Sequence, residues 1–188
     1  MSFKSIIKLM DIKTLVAGIV PVILGSIYSK YAFGKFNILY FILLIVAMIL
    51  IQSATNMVND YSDFKSGADN KKSGNEKALV SGEITSKQVL VTIFLFQLIA
   101  CMIGIFIASQ TSYYILIVAI IGGIISISYA FGPFPISYTP FGEAVAGITM
   151  GIGITTTVIY IQSGAINLNT FLVAIQIGRA HVWTPVTI

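Results

Sequence analysis

The sequence predicts an all-α fold, a polytopic transmembrane helical bundle, on three observations. Of its 188 residues 56% are hydrophobic and only 10% charged, at a mean hydropathy of +0.93. Soluble domains carry about a quarter charged residues. Apolar runs near the length needed to cross a bilayer, about 20 residues, recur along the chain. The lysines fall mostly between or before those runs, as the positive-inside rule requires. This composition excludes disordered tails, disulfide-rich secreted scaffolds and ordinary soluble globules. Net charge is +4 without a basic run, so nucleic acid is excluded as a partner and the lipid bilayer is the expected one.

The elements follow in order. Residues 1–13 are polar-amphipathic, with Lys4, Lys8 and Lys13, and no small-residue cleavage site follows the first apolar run. The first span covers 14–29 and contains Pro21, which a membrane helix tolerates when neighbours satisfy the freed carbonyl. Tyr28, Tyr31 and Phe33 with Lys30 and Lys35 read as an interfacial belt. The second span, 36–55, ends in a polar helical continuation, and a polar segment then runs from 56 to 87. Spans three and four cover 89–108 and 113–129, joined by a turn at Ser109, Gln110 and Thr111. Pro133, Pro135 and Pro140 mark a loop. The fifth span, 145–161, is rich in Gly and Thr, which suits close helix packing. A sixth begins at Leu168 and stays short.

With the N-terminus in the cytoplasm, Lys4, Lys8, Lys13, Lys65, Lys71, Lys72, Lys77 and Lys87 lie inside, against Lys30 and Lys35 outside. The expected location is therefore the cell membrane, multi-pass, with the N-terminus and the 56–87 segment cytoplasmic. Cys101 lies inside an apolar run and reads as an inert thiol.

The last dozen residues break the pattern. They hold the chain's only Arg, His and Trp (Arg179, His181 and Trp183), where an Ile-rich helix should continue. The string resembles the conceptual translation of a sequencing adapter. The expected division is 1–176 as the N-terminal part of one membrane domain and 177–188 as a non-native tail.

The chemistry is concentrated in the polar segment, which holds Asp60, Asp63, Asp69, Glu76 and Glu83, five of the seven acidic residues. If the second helix continues through it, Asn56, Asp60 and Asp63 share one face at i, i+4 and i+7. Two carboxylates held close repel unless a cation sits between them. Hard oxygen ligands of this kind suit Mg²⁺, which binds through one or two carboxylates plus phosphate oxygens and water. Lys65, Lys71, Lys72 and Lys77 can neutralise the remaining phosphate charge. A solvated loop of mixed charge explains the density equally well, although a helical acidic face beneath a membrane-buried cavity is the more specific pattern. An EF-hand is excluded, since Ser62 and Phe64 interrupt its alternate ligands.

Asn59-Asp60-Tyr61-Ser62-Asp63, five residues and then Asp69 resemble the first aspartate-rich motif of the UbiA superfamily of membrane aromatic prenyltransferases. The spacing is most similar to the branch that acts on 1,4-dihydroxy-2-naphthoate in menaquinone biosynthesis. The run from Lys77 to Ile84 is similar to that family's Arg-Pro-Leu-x-Ser-Gly-x-Ile element, with Lys77 in place of Arg and Ala78 in place of Pro. Lys keeps the charge but loses the bidentate fork. Residues 129–142 resemble the loop after the family's fourth span.

The resemblance implies a nine-helix fold around a central cavity with two aspartate-rich loops, of which this chain shows one. It implies Mg²⁺-dependent transfer of a polyprenyl group from polyprenyl diphosphate to an aromatic acceptor, 1,4-dihydroxy-2-naphthoate, giving demethylmenaquinone. Asp60 and Asp63 are the implied catalytic residues, and with Asp69 they hold the metal. Asn56, Asn59, Lys65 and Lys77 bind diphosphate, while Tyr129 and Tyr138 line the aromatic pocket. Lacking the second motif, the 188 residues alone are expected to be inactive. Other acceptors within the family are 4-hydroxybenzoate, a tetrapyrrole or a glycerol lipid. A transporter would instead place ionisable groups near the bilayer midplane, where the spans hold essentially none. A non-catalytic membrane subunit would show no Mg²⁺–diphosphate-dependent thermal shift.

Overall fold

The computed structural model describes residues 3–67, 77–130, 135–136 and 139–183. The elements are α1 (Phe3–Met10), α2 (Ile12–Phe33), α3 (Ile38–Ser66), α4 (Ser86–Gln110), α5 (Tyr114–Ala130), α6 (Gly142–Gly147), a π-helical stretch (Ile148–Ile154), α7 (Thr155–Ser163) and α8 (Leu168–Trp183). Among the described residues four rods are long and apolar enough to cross a membrane: Ile12–Phe33, Ile38–Ser66, Ser86–Gln110 and the continuous Gly142–Ser163. The expected fourth span, α5, is 17 residues and shorter than these. The chain is thus a multi-pass helical membrane protein.

Helix α3 sets the geometry. Its 29 residues measure about 44 Å, against a hydrocarbon core of about 30 Å, so several turns must stand clear of the lipid. Asn37 caps its start, its Oδ1 accepting from the Leu39 and Tyr40 amides at 2.9 and 3.2 Å. Gly67 ends it in the left-handed conformation, φ 76°, returning its N–H to the Phe64 carbonyl. Helix α4 starts with a reciprocal capping box between Thr85 and Gln88. It continues to Gln110, so the turn expected at 109–111 falls at 111–113 instead.

Among the described residues two apolar clusters hold the bundle. At the end where α3 projects, Leu9 of α1 (1% exposed) packs with Met57, Ala78, Leu79, Ile84 and Val89. Burying a leucine of this kind contributes about 1.5–3 kcal/mol. At the far end Ile107, Ala108, Ile115 and Ile161 pack together. A polar lock closes that end: Lys35 donates to the Ser163 carbonyl at 2.9 Å, and Gln162 Oε1 accepts from the Asn37 amide at 2.7 Å. Lys35 thereby places a cation at the C-terminal end of α7, where the helix dipole favours it.

Small residues let the inner helices meet. Gly18, Gly25, Ser26 and Ser29 are buried on α2, the face that includes its contact with α7. Where α8 crosses the π-helical stretch, a Cβ on Gly151 would overlap the backbone of Gly178 and stand 2.8 Å from the Ala174 carbonyl. Only glycine allows that approach. Gly151→Ala is expected to cost about 1–3 kcal/mol through overpacking. Gly104→Ala, which meets nothing within 4 Å, should leave stability unchanged or slightly raised. Thermal unfolding in detergent checks this, and equal midpoints for the two variants would contradict the packing.

Candidate functional site

The projecting turns of α3 carry the acidic residues. Because α3 remains helical to Ser66, Asp60 and Asp63 lie three residues apart on neighbouring turns of one face. The chain then returns through 77–84, placing Lys77 against that face. Its Nζ lies 3.0 Å from Asp60 Oδ1 and 3.4 Å from Asp63 Oδ2. All three side chains are about a quarter exposed, so the charges are partly withdrawn from water. One ammonium neutralises only one of two carboxylates, leaving the trio one charge negative. A divalent cation in the same place would neutralise both.

Asn59 lies on α3 one turn before Asp63 and is half-buried, and Lys65 is exposed in the last turn. Asn56, one turn before Asp60, is engaged elsewhere: its Nδ2 donates to the Met10 carbonyl at 2.7 Å and to Thr14 Oγ1 at 2.6 Å. Tyr129 is half-buried near the end of α5, which is tied to α3 by a 2.8 Å bond between Thr55 and Ser126 hydroxyls. Parallel to α3, α5 brings Tyr129 to the aspartate end. Asp69 and Tyr138 lie outside the described residues.

Asp60 and Asp63 present hard oxygen donors converging on one cation position, a donor set that suits Mg²⁺ with water or phosphate completing the shell. Among the described residues no group of three or more His, Cys, Asp or Glu side chains stands together. A cleft of about 310 Å³, lined by Tyr114, Val118, Thr156, Thr157 and Tyr160 among others, opens at the far end of the bundle.

Sequence reasoning missed what holds the 77–84 segment. Glu83 accepts from Lys8 at 3.2 Å and from Ser5 at 3.4 Å, both on α1. The signal was the amphipathic pattern of Ile6, Leu9 and Met10, which marks a helix with an apolar face to bury rather than a mere charged leader.

The fold and this site define a multi-pass membrane protein with an acidic, lysine-bridged cluster where one span leaves the bilayer. Residues 18–188 match the model of the UbiA prenyltransferase family, and the chain belongs to that family. It is 35% identical over 166 residues to 1,4-dihydroxy-2-naphthoate octaprenyltransferase of Bacillus subtilis, covering 88% of this chain and 53% of the relative. It is 26% identical over 171 residues to the protein of the same name from Haemophilus influenzae, covering 84% and 56%. UbiA prenyltransferase domain-containing protein 1 of Xenopus tropicalis is 30% identical over 137 residues, covering 72% and 39%. The chain thus spans about half the length of the curated relatives it matches. No solved structure matches it.

The Lys8 hydrogen bond, and next the Lys8 charge, hold the Glu83 carboxyl below its ordinary value of 4.5. A carboxyl lowered by folding stabilises the fold above its unfolded pKa, and that contribution is lost as pH falls through the folded value. Wild-type chain should therefore melt above Glu83→Gln at neutral pH, with the gap closing below pH 4.5. Thermal midpoints measured at several pH values check this. A gap that persists unchanged into acid would contradict the ion pair.

Proposed function

We propose that the protein transfers a polyprenyl group from polyprenyl diphosphate to 1,4-dihydroxy-2-naphthoate with loss of carbon dioxide, giving the quinol form of demethylmenaquinone, with Mg²⁺ as cofactor. The observation that carries this reading is the convergence of Asp60 and Asp63 on a single cation position at the end of a span, in a chain of the UbiA family. The names of the Bacillus subtilis and Haemophilus influenzae relatives support the acceptor. The lysine bias supports a cytoplasmic N-terminus and aspartate end in the cell membrane.

Mg²⁺, when bound, supplies positive charge to the departing diphosphate. Asp60 and Asp63, with Asp69 beyond the described residues, are the proposed ligands. The bond between the allylic carbon and the diphosphate oxygen breaks, and its electron pair leaves with diphosphate. A ring carbon of the acceptor forms the new carbon–carbon bond, and loss of carbon dioxide from that carbon returns the electrons to the ring. Lys77, poised beside both carboxylates, can turn its ammonium to diphosphate oxygens once a divalent cation takes its place. Asn59, one turn before Asp63, and Lys65 in the last turn of α3 are the further proposed diphosphate contacts. Asn56 supports the site from below through Met10 and Thr14. Tyr129, with Tyr138, is the proposed aromatic wall, where a π face stabilises allylic cation character. The prenyl tail lies along the apolar spans, where each methylene favours burial.

The test uses the chain completed by the remaining part of the Bacillus subtilis relative, in membranes supplied with octaprenyl diphosphate and 1,4-dihydroxy-2-naphthoate. A Mg²⁺-dependent prenylated product lacking the carboxyl group is expected, with Asp60→Asn or Asp63→Asn slower by about 100-fold or more. Absence of product from the parent, or full rates in both variants, would contradict the assignment.

A further inference from the structure

Helix α1 lies outside the spans, yet it is fastened at three points to the machinery around Asp60. Leu9 is almost wholly buried among Met57 of α3 and Ala78, Leu79 and Ile84 of the returning segment, with Ile6 and Met10 beside it. Ser5 and Lys8 hold Glu83, six residues after Lys77. At its C-terminal end the chain turns through Asp11 in the left-handed region, φ 45°, which costs a non-glycine residue energy unless the surroundings hold it. They do: Thr14 Oγ1 donates to the Asp11 carbonyl at 2.9 Å, and Asn56 donates to both Met10 and Thr14. The turn is therefore bolted to α3 one helical turn before Asp60.

These fastenings share a consequence. Segment 77–84 is short, and its only cation is Lys77. Whatever fixes Ala78, Leu79 and Glu83 fixes the height at which Lys77 meets the carboxylates. An ammonium held there competes directly with a divalent cation for the same oxygens.

We propose that α1 is a positioning strap: through Leu9, Lys8 and Ser5 it presses the 77–84 segment onto α3, so that the Lys77 ammonium keeps its place between Asp60 and Asp63 until a divalent cation displaces it. The displacement half rests on the proposed metal role of the aspartates; the strap itself does not. Apparent metal affinity is reduced by the fraction of molecules in which Lys77 still occupies the pair, so loosening the strap raises affinity. Side chains of α1 that stand apart from the carboxylate pair thereby tune the site.

Two measurements on the chain in lipid nanodiscs test this, using Leu9→Ala and, as a milder variant, Ile6→Ala; both preserve charge. The first is acylation of Lys77 by an N-hydroxysuccinimide ester, followed by mass spectrometry with exposed Lys30 as internal control. Loosening the strap should raise the Lys77 rate about threefold or more, with Lys30 unchanged. The second is Mn²⁺ binding by electron paramagnetic resonance. Leu9→Ala should bind Mn²⁺ about tenfold tighter than wild type, while in a Lys77→Met background the same substitution should change affinity less than about twofold. Unchanged Lys77 labelling in both variants would overturn the strap, as would an equal Mn²⁺ effect in the presence and absence of Lys77. Raised labelling without Mn²⁺ binding to any variant would leave the strap standing and overturn the metal reading beneath it.

Discussion

Two carboxylates on adjacent turns of a helix cannot share a partly desolvated surface without a cation between them, and the arrangement of this end of the protein follows from that constraint. Lys77 meets it, lying within 3.0 and 3.4 Å of Asp60 and Asp63. To bring it there, α3 must outrun the bilayer, the chain must fold back at 77–84, and an apolar cluster must anchor the return. Leu9, Met57, Leu79 and Val89 form that anchor. Replacing one ammonium by one divalent cation changes the local charge from net negative to neutral. It also frees a lysine at the position where diphosphate charge would arrive in the proposed reaction.

The opposite end is held by different means. There the α2–α3 connection is locked to α7 through Lys35, Asn37 and Gln162, all acting on or through main-chain groups. Between the two ends, small side chains on α2 and the π-helical stretch replace the hydrophobic driving force that lipid cannot supply between helices. The π-helical carbonyls of Ile152 and Gly153 accept from the Thr156 and Thr157 hydroxyls at the start of α7. At the aspartate end, α1 and 77–84 are joined mainly by side-chain contacts.

Much of this was legible in the residues. The length of the apolar runs placed the four long spans, and the proline-rich loop separated the last of them from α5. The i, i+4, i+7 placement of Asn56, Asp60 and Asp63 holds because α3 does continue to Ser66. The family resemblance read from Asp60, Asp63 and the Lys77–Ile84 run is borne out by the family match over 18–188. Long-range pairing was not legible. Nothing local in Asn56 says that its amide spends its donors on Met10 and Thr14, 46 and 42 residues away. Glu83 similarly finds Lys8 across 75 residues. Periodicity reports which face a helix buries, but not which partner arrives there; α1 had an apolar face and no visible destination until 77–84 was placed beneath it.

In the proposed function the point now bridged by Lys77 is where a divalent cation binds. Localised cleavage tests it most directly: Fe²⁺ is added in place of Mg²⁺, hydroxyl radicals are generated with ascorbate and peroxide, and cut sites are read by mass spectrometry. Cuts confined to the backbone around Asp60, Asp63 and Lys77, suppressed by excess Mg²⁺, are the expected result. Cuts elsewhere in the bundle, or none that Mg²⁺ suppresses, would contradict it.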